Sequence, residues 1–310
     1  ENHLGELWSQ FHFLMPGLLG DERQFRRLFR TPIEKHGETE VQQRLSRRVR
    51  PFLMRRTKEE VAAELPDKTE IERTLSLAPA QADLYETVRM AMDKRVRQAL
   101  AEQGLARSQI TILDALLKLR QVCCDPRLLP AGSGYDSNAP SVKLQYLREL
   151  LPELVEEGRR ILLFSQFTSM LELIAGELDE LGIPWVRLTG QTRKRDEVIE
   201  RFRQGEAPVF LISLKAGGVG LNLAEADTVI HYDPWWNPAV ETQATDRAHR
   251  IGQQQNVFVY KLITEQTVEE KIIGLQQHKK ALAEGIHGGE QGEEPGFTEE
   301  DVRELLSPLE

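Results

Sequence analysis

The sequence predicts an α/β protein in which a parallel sheet, covered by helices on both faces, follows a helical region. After residue 141, short apolar runs such as 161–164 and 209–212 alternate with amphipathic helical segments, which is typical of parallel strands. Before residue 66, apolar residues recur at spacings of three and four. With 310 residues, 40% of them apolar, the chain is long enough for two domains.

The first 65 residues are predicted to be helical. One apolar face runs through Leu4, Leu7, Trp8 and Phe11, and the pattern restarts at Phe25 after a break. The segment 41–58 contains no acidic residue and seven basic ones, Arg44, Arg47, Arg48, Arg50, Arg55, Arg56 and Lys58. Such a run indicates a polyanionic partner, although basic residues that solvate helix ends would give the same pattern.

Residues 66–140 are predicted to form a linker and a helical insertion. The stretch 68–77 alternates loosely and is expected to be extended, and two long helices are expected at 79–102 and 108–122. Turn-forming residues fill 130–140, which we interpret as a linker-like loop.

The region 141–285 is predicted to be the α/β domain. Helices are expected at 142–157, 169–181, 194–204, 239–249 and 268–283, and strands at 160–164, 185–188, 209–213, 228–232 and 257–262. An acidic tail occupies 286–310, with a short helix at 298–306. The chain has a formal net charge of −9, and much of it comes from this tail.

Several classes of site are excluded by composition. The two cysteines, Cys123 and Cys124, are neighbours and cannot build a disulfide framework or a metal site, so we expect an intracellular, reducing compartment. The histidines lack paired ligand spacing, and no metal site is predicted. No apolar run approaches the roughly 20 residues that a bilayer requires, so no membrane partner is expected.

Candidate functional residues follow three predicted strands, because ligands gather at the carboxyl ends of parallel strands. Ser165 and Gln166 follow the first, a glycine-rich turn follows 209–213, and Trp235-Trp236-Asn237 follows 228–232. The glycine-rich turn could bind an anion through its amides or could be only a tight turn. It fits neither a Walker A loop nor a dinucleotide fingerprint. The tryptophan pair could anchor a packed loop or contact a ligand.

The segment 243–253 carries the most informative spacing. Gln243, Arg247 and Arg250 lie at i, i+4 and i+7, so a continuous helix would place them on one face. Two adjacent guanidinium groups favour a bound phosphate, whose oxygens match their planar donors. The alternative is a salt-bridged helix face that uses Asp246 and Glu241.

In this order, these segments resemble the C-terminal part of Swi/Snf-type ATPases of helicase superfamily two. Residues 161–167 look like motif IV, 213–223 like motif V, and 243–253 match motif VI nearly letter for letter. The upstream segments 2–8 and 52–58 are similar to the sequence after motif III and to the family's basic segment.

The resemblance implies two RecA-like lobes of the P-loop NTPase type with ATP between them. ATP and Mg²⁺ would be held mainly by a first lobe, whose Walker A and Asp-Glu motifs are absent from this sequence. This chain would then be the second lobe, preceded by the helical end of the first at 1–65.

The resemblance also implies roles for individual residues. Arg247 and Arg250 would be catalytic arginine fingers, and Gln243 would orient their helix or touch the phosphate. The nucleotide-side residues would be Gly218, Gly220, Asn222 and Asp246. The residues on double-stranded DNA would be Ser165, Gln166, Thr189, Gly190, Ser213, Lys215, Gly217, Trp236, Asn237, Arg55 and Arg56.

The function implied is half of a double-stranded DNA translocase, an ATP hydrolase that is incomplete on its own. Its partners would be duplex DNA, the first lobe and a protein–DNA complex as target. Two alternatives remain open at this point: a non-catalytic scaffold that binds nucleic acid or protein, and a strand-separating helicase.

Overall fold

A computed structural model describes residues 4–36, 38–54, 65–130, 134–135, 138–217, 221–286 and 298–309. They form two compact units, one built from the described residues up to 54 and the other from residue 65 onwards. Each unit has its own apolar core.

The first unit is helical, as its apolar spacing predicts. It contains α1 (Leu4–Leu14), α2 (Glu22–Phe25), a π-helical turn (Arg26–Arg30), α3 (Thr31–His36), α4 (Thr39–Val49) and a 3-10 turn (Arg50–Phe52). Phe11, Phe25, Phe29 and Leu45 pack together in its core. The basic residues of α4 point outward: Arg44, Arg47 and Arg48 are exposed. Arg55 and Arg56, predicted to contact DNA, lie outside the described residues.

The described part of the second unit contains a six-stranded parallel sheet, which confirms the predicted fold class. Its strands are β1 (Lys68–Leu75), β2 (Ile161–Ser165), β3 (Trp185–Leu188), β4 (Val209–Ser213), β5 (Thr228–His231) and β6 (Val257–Thr264). Their order across the sheet is β1-β6-β5-β2-β4-β3. The segment predicted as an extended linker therefore becomes an edge strand, with Lys68 opposite Val257 and Leu75 opposite Thr264.

Helices cover both faces of this sheet and enclose its apolar strands. They are α7 (Val142–Glu156), α8 (Thr168–Glu180), α9 (Arg195–Arg203), α10 (Leu214–Gly217), α11 (Pro238–Thr245) and α12 (Val268–Ile286). Alternate residues of β2 enter opposite cores: Ile161 and Leu163 pack with α7 and α8, whereas Leu162 and Phe164 pack with Phe202 of α9. Burial on both faces explains why central strands such as β2 and β4 are almost entirely apolar.

A helical hairpin, α5 (Pro79–Gln103) and α6 (Leu105–Cys124), packs on the same unit. The two helices are joined at Gly104, whose φ of 72° favours glycine. The hairpin shares a core with α12 and with a last helix, α13 (Glu299–Leu305), through Val302 and Leu305. The short helix predicted in the acidic tail is therefore present and docked.

The two cysteines end α6 and are completely buried. Burial raises the pKa of the Cys123 thiol to about 12, so this group stays protonated at neutral pH. Both residues act as small apolar side chains. None of the described helices has the length and apolar content needed to cross a bilayer.

Candidate functional site

The arginine segment differs from the continuous helix that its spacing predicts. Helix α11 ends at Thr245 and not at residue 249. Arg247 and Arg250 lie in the turns that follow, whereas Gln243 is exposed on the last turn of the helix. After Thr245 the chain continues in tighter turns, in which the Arg247 N–H donates to the Ala244 carbonyl at 3.1 Å. The Arg247 carbonyl accepts a tertiary bond from the Leu223 backbone N–H at 3.1 Å. The prediction of one shared helix face is therefore wrong.

The arginines nevertheless lie close to each other. Burial lowers the pKa of Arg247, and the positive charge of Arg250 lowers it further, against the opposing charge of Asp246. Both side chains are half-buried. The other carboxylate considered for a salt-bridged face, Glu241, accepts a bond from the Trp235 backbone N–H at 2.6 Å. Two cations held near each other in partial burial favour an anionic ligand.

The loop after β4 is fixed to its surroundings through its backbone. Ser213 is buried, and its hydroxyl lies 3.4 Å from the Ala216 N–H that donates to it. Guanidinium donors bond loop carbonyls: Arg195 to Ala216 at 3.1 Å, Arg203 to Asn222 at 2.9 Å, and Arg250 to Leu221 at 3.4 Å. Lys215 and Asn222 have exposed side chains. Gly218 and Gly220 lie outside the described residues, and Gly217 ends α10.

Ser165 and Gln166 are held in place by Asp233. The Ser165 side chain is fully buried and donates to the Asp233 carboxylate at 2.5 Å. The backbone N–H of Gln166 donates to the same carboxylate at 3.3 Å. Burial raises the pKa of Asp233, while nearby Arg120 and the Ser165 bond oppose this shift. Ser165 thus stabilises the loop after β2 from its buried side, and the next residue, Gln166, is half-buried.

The other predicted DNA-side residues form two turns at the strand ends. Thr189 begins a turn after β3 in which its N–H donates to the Thr192 hydroxyl at 2.9 Å, and Gly190 is exposed. Asn237 is exposed and caps α11 by accepting from the Ala239 N–H at 2.8 Å. The structure brings these turns and the Gln166 loop to the carboxyl end of one sheet, the usual place for ligands.

Trp235 and Trp236 anchor a packed loop. Trp235 packs against the sheet core with Val240, and Trp236 packs against the helical hairpin. Gln276 of α12 donates to the carbonyl of Trp235 at 3.1 Å and also to that of Trp236. Of the two alternatives for this pair, the packing one matches this arrangement.

Sequence reasoning missed a buried ion pair beneath the site. Lys143 and Glu269 are both inaccessible to solvent and lie 2.7 Å apart. The ammonium also donates to the carbonyls of Tyr232 and Leu262, each at 2.9 Å. Burial disfavours the charged form of Lys143, but the neighbouring Glu269 carboxylate favours that form more strongly. The pKa of Lys143 is therefore raised. One feature of the sequence could have indicated this pair: Lys143 lies on the apolar face of α7, four residues before the buried Leu147.

His231 is a second buried titratable group near the site. Its Nε2 lies 2.9 Å from the Thr245 hydroxyl, and burial lowers its pKa from 6.5 to about 3. Between these two pH values the unfolded chain binds a proton that the folded chain does not, so the free energy of unfolding falls as the pH falls. We expect His231→Gln to remove a slope of up to about 1.4 kcal/mol per pH unit between pH 6.5 and 3.

The slope is measured by denaturant unfolding at a series of pH values, with a spectroscopic signal that reports on the second unit. His12→Gln is the matched control, since His12 is exposed on α1 of the other unit. An unchanged slope in His231→Gln would contradict the assignment.

The residues of this site are suited to a nucleotide phosphate. Arg247 and Arg250 supply donors suited to phosphate oxygens. Across the ranges that the structure describes, no group of three or more His, Cys, Asp or Glu side chains is placed to hold a metal ion. Assigning Mg²⁺ to the first lobe stays a prediction.

The parallel sheet with paired arginines beside a strand-end loop defines a RecA-like lobe of a helicase-type ATPase. Two family models match the chain: the SNF2-related domain over residues 1–128 and the helicase conserved C-terminal domain over residues 142–252. The chain belongs to the Swi/Snf family of helicase superfamily two.

Individual relatives agree with this family. The Bacillus subtilis protein named "Putative ATP-dependent helicase/translocase YwqA" is 42% identical over 92% of this chain and 31% of its own length. The Sulfolobus solfataricus SWI2/SNF2 ATPase core in complex with dsDNA is 35% identical, with a TM-score of 0.62, over 99% of this chain and 64% of that one. The C-terminal domain of the Sulfolobus ATPase is 31% identical, with a TM-score of 0.59, over 78% of this chain and all of that one. The chain thus spans about a third of the curated relative.

Proposed function

We propose that this chain is the C-terminal half of an ATP-dependent translocase on double-stranded DNA. The observation that carries the proposal is the pair Arg247 and Arg250, two mutually repelling cations kept in partial burial and tied to the 221–223 loop. Their planar guanidinium donors are suited to phosphate oxygens. A triphosphate presented by the first lobe would neutralise both.

In this proposal the arginines are the chain's contribution to phosphoryl transfer. ATP, when bound, supplies the phosphoanhydride bond that is hydrolysed. The guanidinium groups stabilise negative charge that develops on the transferred phosphoryl group, and Gln243 orients their segment. Because the backbone of Arg247 bonds Leu223, a displacement of the arginine segment moves the end of the strand-end loop with it.

The DNA side of the proposal uses exposed groups at the strand ends. Lys215, Gly190 and Asn237 are accessible there, and Gln166 is half-buried. Lysine charges, amide donors and backbone N–H groups bind phosphates without reading sequence, which suits movement along any duplex. A Swi/Snf relative has been solved on double-stranded DNA, which supports the same partner here.

The chain on its own is proposed to be inactive toward ATP. Its 310 residues contain no Walker A motif, and the arginines cannot hydrolyse a nucleotide that nothing holds. Activity therefore requires a first lobe that carries the Walker A and Asp-Glu motifs, together with Mg²⁺.

The proposal is tested by measuring ATP turnover and strand movement in the protein that carries both lobes. We expect duplex DNA to stimulate ATP hydrolysis, and we expect the protein to displace the third strand of a triplex. A forked duplex should not be unwound. Turnover that ignores duplex DNA would favour the scaffold, and efficient unwinding would favour the strand-separating helicase.

A further inference from the structure

Arg120, near the end of α6, is a buried cation that the mechanism has not used. Its side chain is 2% exposed. The guanidinium donates to the carbonyl of Pro234 and lies 3.8 Å from the Asp233 carboxylate. It also lies over the rings of Trp235 and Trp236, at 6.0 and 5.6 Å from their centroids. One side chain of the helical hairpin thus contacts four consecutive residues of the 233–236 loop.

Asp233 also forms hydrogen bonds with a second loop. Its carboxylate accepts from the Ser165 hydroxyl and the Gln166 N–H, at the end of β2. Ser165 in turn accepts from the Phe167 N–H at 3.1 Å, immediately before α8. Arg120 and Asp233 therefore connect the hairpin to the ends of two neighbouring strands, β5 and β2.

The 233–236 loop leads directly into residues assigned to DNA. Trp236 is followed by Asn237, which caps α11. Glu241 of α11 accepts from the Trp235 N–H at 2.6 Å, so the loop and the first turn of the helix move together. Buried charge pairs are costly, and their clearest use is to specify one arrangement of the groups around them.

We propose that Arg120 is a positioning residue that sets the geometry of the loops that present Gln166 and Asn237 to DNA, so that the helical hairpin determines how well the lobe binds duplex DNA. The inference rests on the proposed function. Arg120 itself is buried and touches no ligand; it acts through Asp233 and the Pro234 carbonyl. The hairpin is thereby part of the DNA-binding apparatus and not only an attached brace.

The test uses Arg120→Met in the protein with both lobes. Methionine keeps the apolar volume but removes the donors and the charge. We expect the duplex concentration that gives half-maximal ATP turnover to rise by about 10-fold to 100-fold, the loss expected when one hydrogen bond to a charged phosphate is no longer made. The KM for ATP should stay within about twofold, since the arginine segment is anchored independently through Leu221 and Leu223.

Two variants separate positioning from stability. Arg95→Met is the matched control, because Arg95 belongs to the same hairpin but makes an exposed ion pair with Asp114. Arg120→Met/Asp233→Asn removes both buried charges and guards against misfolding caused by an unpaired carboxylate. We expect the double variant to melt near the wild-type temperature and still to need more duplex. The fluorescence of Trp235 and Trp236 should also change in both Arg120 variants, but not in Arg95→Met.

The outcomes distinguish this inference from the proposed function. A wild-type protein that duplex DNA does not stimulate would overturn the proposed function, and this inference with it. A stimulated wild-type protein whose half-maximal duplex concentration is unchanged in Arg120→Met would overturn the inference alone. The inference would also be wrong if the double variant recovered both stability and wild-type duplex dependence, since Arg120 would then only neutralise Asp233.

Discussion

Replacing Arg247 or Arg250 with alanine in the protein with both lobes is expected to lower ATP turnover at saturating duplex by about 10³-fold or more, the usual effect of losing an arginine finger. The physical reason is that each guanidinium stabilises charge that exists only as the phosphoryl group transfers. Duplex affinity should change by less than about threefold, because Arg195 and Arg203 still hold the loop after β4 when the Arg250 bond to Leu221 is lost.

Steady-state hydrolysis and fluorescence anisotropy on a labelled duplex measure the two quantities. Arg201→Ala is the matched control, since Arg201 of α9 makes an exposed ion pair with Glu206. Exposed pairs of this kind contribute little. Normal turnover in both arginine variants would remove the finger assignment, and a parallel loss of DNA binding would indicate a collapsed loop.

Replacing Lys143 with methionine is expected to lower the free energy of unfolding by about 3–5 kcal/mol, because it leaves the buried Glu269 carboxylate without its counter-charge. Two strand-end carbonyls, those of Tyr232 and Leu262, lose their donor in the same change. Denaturant unfolding of the second unit measures the loss.

Two comparisons show whether the loss comes from the buried charge. Lys94→Met changes an exposed lysine on the hairpin and should stay within about 0.5 kcal/mol of wild type. Lys143→Met/Glu269→Gln removes both charges and should recover part of the loss. If Lys143→Met were as stable as wild type, the ion pair would not support the strand ends.

The strands could be predicted from sequence because burial on both faces leaves a direct signal. Runs such as 209–212 are continuously apolar, and β4 has the predicted bounds. The C-terminal end of α11 could not be predicted in the same way. Residues 246–249 are compatible with helix, but i→i−3 turns follow Thr245, and the Arg247 carbonyl bonds Leu223 in a segment distant in sequence.

Residue type alone did not separate the exposed members of the candidate site from the buried ones. Lys215 and Asn237 are exposed at strand ends, as ligand-facing residues should be, but Ser165 and Ser213 are buried. The buried charged residues beneath the site could not be paired from the sequence, because their partners are distant along the chain. Lys143 and Glu269 are 126 positions apart, and Arg120 bonds a carbonyl 114 positions away. Only the tertiary structure brings such pairs together.

The most direct measurement of the central claim compares two affinities in the protein with both lobes: that for ADP and that for ADP with a phosphoryl-mimicking fluoride complex. An arginine that acts on developing charge stabilises the second state selectively. We expect Arg247→Ala and Arg250→Ala to bind ADP like wild type and to lose about 100-fold or more of the affinity for the mimic. Equal affinity of variants and wild type for the mimic would contradict the claim that this lobe delivers its arginines to the nucleotide.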